Sequence, residues 1–228
     1  STVLGIADNR RCGELVMSSS DWGTKEYSIE QINFALLPEA KKNALLGGKF
    51  TFATSDGQSK YYLKYYNRGQ ANANTLLSTQ VDFWVKWNTA TATFHNELIF
   101  ARLTTLGTGP SNIGNCYSLA FGKITTAAAI LRLYRGRPGK NEDITLWSDT
   151  TTFTTGIWYQ FRMQITNVDA NVGIVLLRGD SGSWVQMASI VDSANPITTA
   201  GFAGHGAYGK SAGATADGFI DDVQIVPL

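Results

Sequence analysis

The sequence predicts an all-β protein made of two packed antiparallel sheets with one short helix. Residues 80–87, QVDFWVKW, alternate apolar and polar side chains, except that Trp84 stands among the polar ones. Residues 157–165, IWYQFRMQI, repeat this period of two, which is that of a strand with one buried face. About a dozen such segments follow residue 48, separated by turns rich in Gly, Asp and Asn, and this spacing is typical of a sandwich.

In chain order, the predicted strands are residues 49–54, 60–66, 79–87, 97–103, 116–121, 130–135, 144–147, 157–166, 172–178, 184–191, 200–204 and 218–226. Earlier in the chain, residues 14–17 and the alternating residues 32–36 also favour strands. Residues 37–48, LPEAKKNALLGG, favour the short helix, because proline suits a first helical turn and glycine a helix end.

The chain favours a single domain over residues 1–228, with residues 1–48 as an integral N-terminal extension. The five prolines are scattered, and no charged or Ser/Pro-rich linker marks a boundary. Cys12 and Cys116 are too few for a disulfide framework or a cysteine zinc site, and the sequence leaves open whether they form a bridge.

Charge and hydropathy exclude two classes of partner. Nineteen basic residues face 18 acidic ones, whereas a protein that binds phosphate backbones normally has a basic excess, so we expect no nucleic-acid partner. No apolar run reaches the length of about 18 residues that a membrane span requires. The first residues, STVLGIADNRR, lack the basic-then-apolar order of a secretory signal.

The order of motifs resembles a known family. QVDFWVKW is followed by ELIFARL, NCYSLAF, ILRLYRG, FTTGIWYQFRMQI, GIVLLRGDSGSWVQM, GFAGHG and GFIDDVQI. Over residues 49–228 this order is similar to the concanavalin A-like lectin and glucanase jelly roll, and especially to laminin G-type domains. The resemblance implies a jelly-roll sandwich that binds glycans on its concave sheet or rim.

The resemblance also places a set of polar and aromatic side chains on that concave face: Asp82, Trp84, Lys86, Arg132, Tyr134, Gln160, Arg162 and Gln164. Sugars present flat apolar faces and rings of hydroxyls, so a receptor combines an aromatic ring with amides, acids and arginines. The alternative is that these groups satisfy one another beneath a covering loop or a neighbouring subunit.

An acidic pair in the last predicted strand, Asp221 and Asp222, resembles residues near a structural calcium in several jelly-roll families. Calcium requires six to eight oxygen ligands, so backbone carbonyls would have to supply most of them. No other cofactor is expected.

Three fragments suggest a serine protease: His95, Asp143 and the GDSG of residues 179–182. The serine follows Asp143 too closely for that family, and GDSG between two apolar runs is what a tight hairpin needs. The RGD at residues 178–180 falls in the same turn, so it does not by itself indicate an integrin ligand.

Polysaccharide cleavage has little support in the sequence. Glycosidases need paired carboxylates, and the glucanases of this fold carry them at alternate positions of one strand, a pattern absent here. A lyase would need a His or Tyr base beside an arginine, and His95 and His205 fall in predicted loops.

We therefore expect a non-catalytic module that binds glycan or a protein surface. By fold analogy it would be a component of a larger assembly, such as a decoration or fibre protein on a phage virion, located on a virion surface or outside the cell and able to form homo-oligomers. The alternative is a polysaccharide lyase or glycoside hydrolase with an unfamiliar site.

Overall fold

The computed structural model describes residues 26–28, 32–37, 47–52, 59–65, 76–87, 94–109, 112–123, 128–136, 144–210 and 216–228. Within these ranges the regular secondary structure is entirely β. The strands are β1 (Glu26–Ser28), β2 (Ile32–Leu37), β3 (Gly47–Phe52), β4 (Ser59–Tyr65), β5 (Thr79–Trp87), β6 (Phe94–Gly109), β7 (Asn112–Lys123), β8 (Ala128–Arg135), β9 (Ile144–Ser148), β10 (Phe153–Thr154), β11 (Tyr159–Val168), β12 (Asn171–Asp180), β13 (Ser183–Asp192), β14 (Phe202–Lys210) and β15 (Ala216–Pro227).

The strands form two antiparallel sheets. Sheet A has the order β13-β12-β11-β5-β15-β3-β2. Sheet B has the order β1-β4-β14-β6-β7-β8-β10, and β9 also pairs with β8. The predicted all-β jelly-roll sandwich is confirmed.

The core lies between the sheets and is built from the apolar side of each alternating strand. On β5, Val81, Phe83 and Val85 are fully buried. Phe161 of β11 lies 5.8 Å, centroid to centroid, from both Phe83 in its own sheet and Phe121 of β7 in sheet B. Rings at this separation attract beyond the area that they bury, so the aromatic contacts hold the two sheets face to face.

The turn between β12 and β13 confirms the hairpin interpretation of GDSG. Asp180 pairs with Ser183, which leaves Ser181 and Gly182 as a two-residue loop. Both have positive φ, 47° and 89° respectively. Two successive positive values define the type I′ turn, whose twist matches that of the flanking strands.

Several sequence predictions concern residues that the structure does not describe. Residues 14–17 and 38–46, with Cys12, lie outside them, so the first strand, most of the helix and the cysteine pairing stay predictions. Gly47 and Gly48, however, begin β3 instead of ending a helix. The short strands β1 and β10 were not predicted, because two or three residues are too few to show a period.

Among the described residues there is no helix of the length and hydropathy that crossing a membrane requires. The single-domain organisation stays a prediction.

Candidate functional site

The outer face of sheet A, meaning the side turned away from the core, collects polar side chains from β5 and β11. In the register of these strands, Trp84 lies opposite Gln160, Asp82 opposite Arg162, and Gln80 opposite Gln164. Directly opposed residues point to the same face of a sheet. The structure therefore brings together residues that are about eighty positions apart in sequence, and it adds Gln80 to the predicted set.

A two-point ion pair lies at the centre of this face. Arg162 donates from Nε to Asp82 Oδ1 and from Nη2 to Asp82 Oδ2, both at 2.6 Å. The two side chains are largely shielded, with 21% of Arg162 and 10% of Asp82 exposed. Such a paired contact fixes orientation as well as charge. The Nη1 donors of Arg162 lie outside the ion pair.

Two glutamines extend the network along the strands. Gln80 donates from Nε2 to Asp82 Oδ2 at 3.3 Å, and Gln164 donates from Nε2 to Gln80 Oε1 at 2.9 Å. The amides are half-buried and already oriented. A ligand would therefore meet a fixed row of polar groups instead of flexible ones.

Trp184 of β13 completes the centre of the face. The Arg162 Cζ lies over the Trp184 ring, 4.0 Å from its centroid, in a cation–π contact. Gly179, which pairs with Trp184 on the intervening strand β12, leaves the space that this arrangement needs. A Cβ added there would come within 2.6 Å of Gln160 Oε1.

Trp184 was not among the site residues that the sequence predicted. It belongs to the strand predicted at residues 184–191, but nothing local says that this strand lies two places from β11 in the same sheet. The available signal was a tryptophan and Gln186 on one side of a strand, the same mixture that drew attention to Trp84.

Lys86 lies on the same face, partly buried and in contact with two aromatic rings. Its Nζ is 5.0 Å from the Trp158 ring centroid and 4.6 Å from that of Phe219. The two rings are 6.4 Å apart at an interplanar angle of 63°. Burial lowers the pKa of Lys86 below its usual range. The ammonium thus contributes to a packed cluster beside the Arg162 network.

The predicted placement of Arg132 and Tyr134 on this face is wrong. Both belong to β8 of sheet B, where they pair with Ala120 and Ser118 of β7. Their neighbours Leu131 and Leu133 do face the core, as predicted. Arg132 and Tyr134 therefore point outward on the opposite side of the sandwich, because alternation identifies the buried side of a strand but not the sheet that the strand joins.

Asp221 is fully buried on β15 opposite Trp84, next to a register shift that ends at Gln224. The side chain of Asp222 lies outside the described residues. The described part of the chain holds no group of three or more His, Cys, Asp or Glu side chains that could bind a metal. The carboxylate of Asp221 supplies at most two of the six to eight oxygen ligands that calcium requires. The calcium site therefore stays a prediction.

Of the fragments that suggested a protease, the two that the structure describes belong to different sheets. His95 belongs to β6 of sheet B, whereas Ser181 lies at the β12–β13 turn of sheet A. Asp143 lies outside the described residues. His205 is buried within sheet B on β14. On the outer face of sheet A, the side chains that the structure describes include no His and no Tyr.

Comparison with known proteins supports the fold. No protein-family model matches the chain, and no curated protein does. Among solved structures, it is similar to the endo-β-1,4-glucuronan lyase of the fungus Trichoderma reesei, with 10% identity, a TM-score of 0.54 and coverage of 91% of each chain.

Two further structures resemble the chain to the same degree. The catalytic domain of a glycoside hydrolase family 131 protein from Coprinopsis cinerea shows 14% identity and a TM-score of 0.53, with 93% of this chain and 87% of that chain covered. The exoplasmic/lumenal domain of VIP36, in a Ca²⁺/Man-bound form, shows 13% identity and a TM-score of 0.53, with 87% and 82% covered. The chain therefore has the jelly-roll fold that is shared by lectins and by enzymes acting on glycans.

Proposed function

We propose that the chain is a non-catalytic glycan-binding module whose ligand lies on the outer face of sheet A. The observation that carries this proposal is the Trp184 ring in contact with an Arg162 guanidinium that Asp82 holds at two points. Together with half-buried Trp84 and oriented amides, this arrangement offers aromatic area for sugar rings and fixed donors and acceptors for hydroxyls.

The charge on this face favours a neutral glycan. Asp82 compensates the charge of Arg162, and the Lys86 ammonium lies against the rings of Trp158 and Phe219. An acidic polysaccharide would need cations that are free to pair with its carboxylates. A ligand rich in hydroxyls can instead use the Arg162 Nη1 donors and the Gln160 amide without disturbing the ion pair.

The same geometry gives little support to catalysis. A lyase needs a base beside an arginine, but the described side chains of this face include no His or Tyr. Both oxygens of Asp82 accept hydrogen bonds from Arg162, so this carboxylate is poorly placed to give a proton to a leaving group.

Affinity electrophoresis or calorimetry against a panel of neutral and acidic polysaccharides tests the proposal. We expect binding to neutral polymers, with a loss of roughly 10- to 100-fold for Trp184→Ala or Trp84→Ala, about 1–3 kcal/mol. Tyr134→Ala is the matched control, because it removes a half-buried aromatic side chain from sheet B. An equal loss in the control would contradict this location of the site.

An activity assay on the same panel distinguishes the enzymatic alternative. We expect no new reducing ends and no unsaturated products. Turnover that disappears in Arg162→Ala would show that the face is an active site and would overturn the non-catalytic proposal.

The role in a larger assembly, such as a phage virion, stays a prediction from fold analogy. Light scattering of the purified protein, alone and mixed with candidate particles, measures whether it self-associates or binds to a particle. A monomer that associates with no particle would remove its support.

A further inference from the structure

Arg102 of β6 is a fully buried arginine in an unusual backbone conformation. Its side chain is 0% exposed, and its φ is 56°, in the left-handed region that non-glycine residues rarely adopt. The pairing of β6 with β7 shifts register directly after Ala101. The guanidinium reaches Asn167, near the end of β11 in sheet A.

Among the described residues, only one nitrogen of this guanidinium has hydrogen-bond partners. Nη1 donates to Asn167 Oδ1 and to the Ile197 carbonyl oxygen, both at 2.7 Å. Nε and Nη2 are buried and have no hydrogen-bond acceptor among the described residues. In Arg162 this same Nε–Nη2 edge holds the carboxylate of Asp82. Arg102 thus directs its anion-binding edge to a site without a described carboxylate.

The described groups around Arg102 leave its charge uncompensated. The nearby carboxylate of Asp192 accepts two bonds from Arg135 Nη1, at 2.6 and 2.7 Å, and a third from the Tyr117 hydroxyl at 2.8 Å. Burial raises the pKa of Tyr117, so its hydroxyl stays neutral and supplies no negative charge. Two positive charges, on Arg102 and Arg135, are therefore matched by one negative charge, on Asp192, among these described groups.

The chain after β13 seals this site from solvent. Ile197 is buried, and its backbone N–H donates to the Tyr117 hydroxyl at 3.0 Å. Gly201 packs so closely that an added Cβ would lie 2.5 Å from the Arg102 carbonyl carbon. This contact holds the Arg102 backbone in place. Because the whole Arg102 side chain is buried, a ligand beside the guanidinium is limited to a few atoms.

We propose that Arg102 binds a small monovalent anion, of the size and charge of a halide, along its Nε–Nη2 edge. A buried charge without a partner costs several kcal/mol, and a buried donor without an acceptor adds to that cost. One small anion would supply both the missing charge and the missing acceptor. The anion would stabilise the end of the sandwich where Asn167 of β11 and Ile197 converge on β6, independently of the glycan site.

Thermal unfolding of the full chain in sodium chloride, sodium bromide or sodium gluconate, at constant ionic strength, tests the proposal. Gluconate is too bulky for the site. At ten times the dissociation constant, a bound halide raises Tm by roughly 3–6 °C for a chain of this size. No difference between halide and gluconate would overturn the proposal.

Two substitutions at one position locate the effect. Asn167→Asp puts a carboxylate beside Arg102 and supplies an internal counterion, so the halide dependence should disappear. Asn167→Ala removes the same amide without adding charge, so the dependence should persist. A halide effect of equal size in Asn167→Asp would place the anion elsewhere and contradict the proposal.

Crystals grown in bromide give a direct readout even if a variant fails to fold. We expect an anomalous peak within about 3.5 Å of Arg102 Nε and Nη2. A water molecule there, with no anomalous signal, would overturn the anion assignment.

Discussion

Arg162 and Asp82 lie directly opposite each other on neighbouring strands and form two hydrogen bonds of 2.6 Å, although 80 residues separate them in sequence. Each side chain determines the charge that the other presents. The pair therefore controls both the stability of sheet A and the class of ligand that its outer face accepts.

Removing the charge of Asp82 should free that of Arg162. Asp82→Asn keeps the size of the side chain, and because the ion pair is largely shielded we expect the free energy of unfolding to fall by about 1–3 kcal/mol. The uncompensated arginine should also shift binding from neutral toward acidic polysaccharides. Urea unfolding measures the first effect and affinity electrophoresis the second. An unchanged ligand preference would argue against charge compensation as its cause.

Gly179 should control the position of Gln160 without controlling the fold. In Gly179→Ala the new Cβ would lie 2.6 Å from Gln160 Oε1 and 3.0 Å from Gln160 Cβ, so the end of Gln160 must move and the strand must adjust slightly. We expect a stability loss of about 1 kcal/mol and a several-fold loss of glycan affinity. Gly182→Ala is the matched control: it has nothing within 4 Å of its new Cβ but a φ of 89°. This control should lose about 1 kcal/mol of stability and no affinity.

The partly buried Lys86 should make stability depend on alkaline pH. Burial places its folded-state pKa below the ordinary 10.5, so between these two values the unfolded chain binds more protons than the folded one. Stability attributable to Lys86 therefore rises with pH across that window and is constant above 10.5. Urea unfolding from pH 7 to 10 measures the free energy of unfolding of the wild type and of Lys86→Met. As the pH rises, that of the wild type should increase relative to that of Lys86→Met. Parallel curves would contradict this.

The buried pair of Arg135 and Asp192 should behave as one unit. Their side chains are 6% and 2% exposed, so removing one partner leaves a buried charge, and Asp192→Asn or Arg135→Met should each cost about 3–5 kcal/mol. The double variant should cost clearly less than the sum, because it leaves neither charge unpaired. Urea unfolding of the four proteins measures the coupling, and additive losses would show that the pair contributes little as a pair.

The sequence by itself determined the architecture at the level of strands and faces. Strict alternation in β5 and β11 predicted both strands and the buried and polar sides of each, because a period of two is a local property of the backbone. The GDSG turn was equally local, since positive φ at Ser181 and Gly182 follows from the demands of a two-residue hairpin.

Only the tertiary structure decided which strands share a sheet. Arg132 and Tyr134 lie on the opposite side of the sandwich from the predicted face, and Trp184 contacts Arg162. The tertiary structure also enclosed Arg102, whose partners lie 65 and 95 positions away in the chain. The physical reason is that alternation along a strand reports burial of a face, whereas pairing between distant strands depends on how the whole core closes.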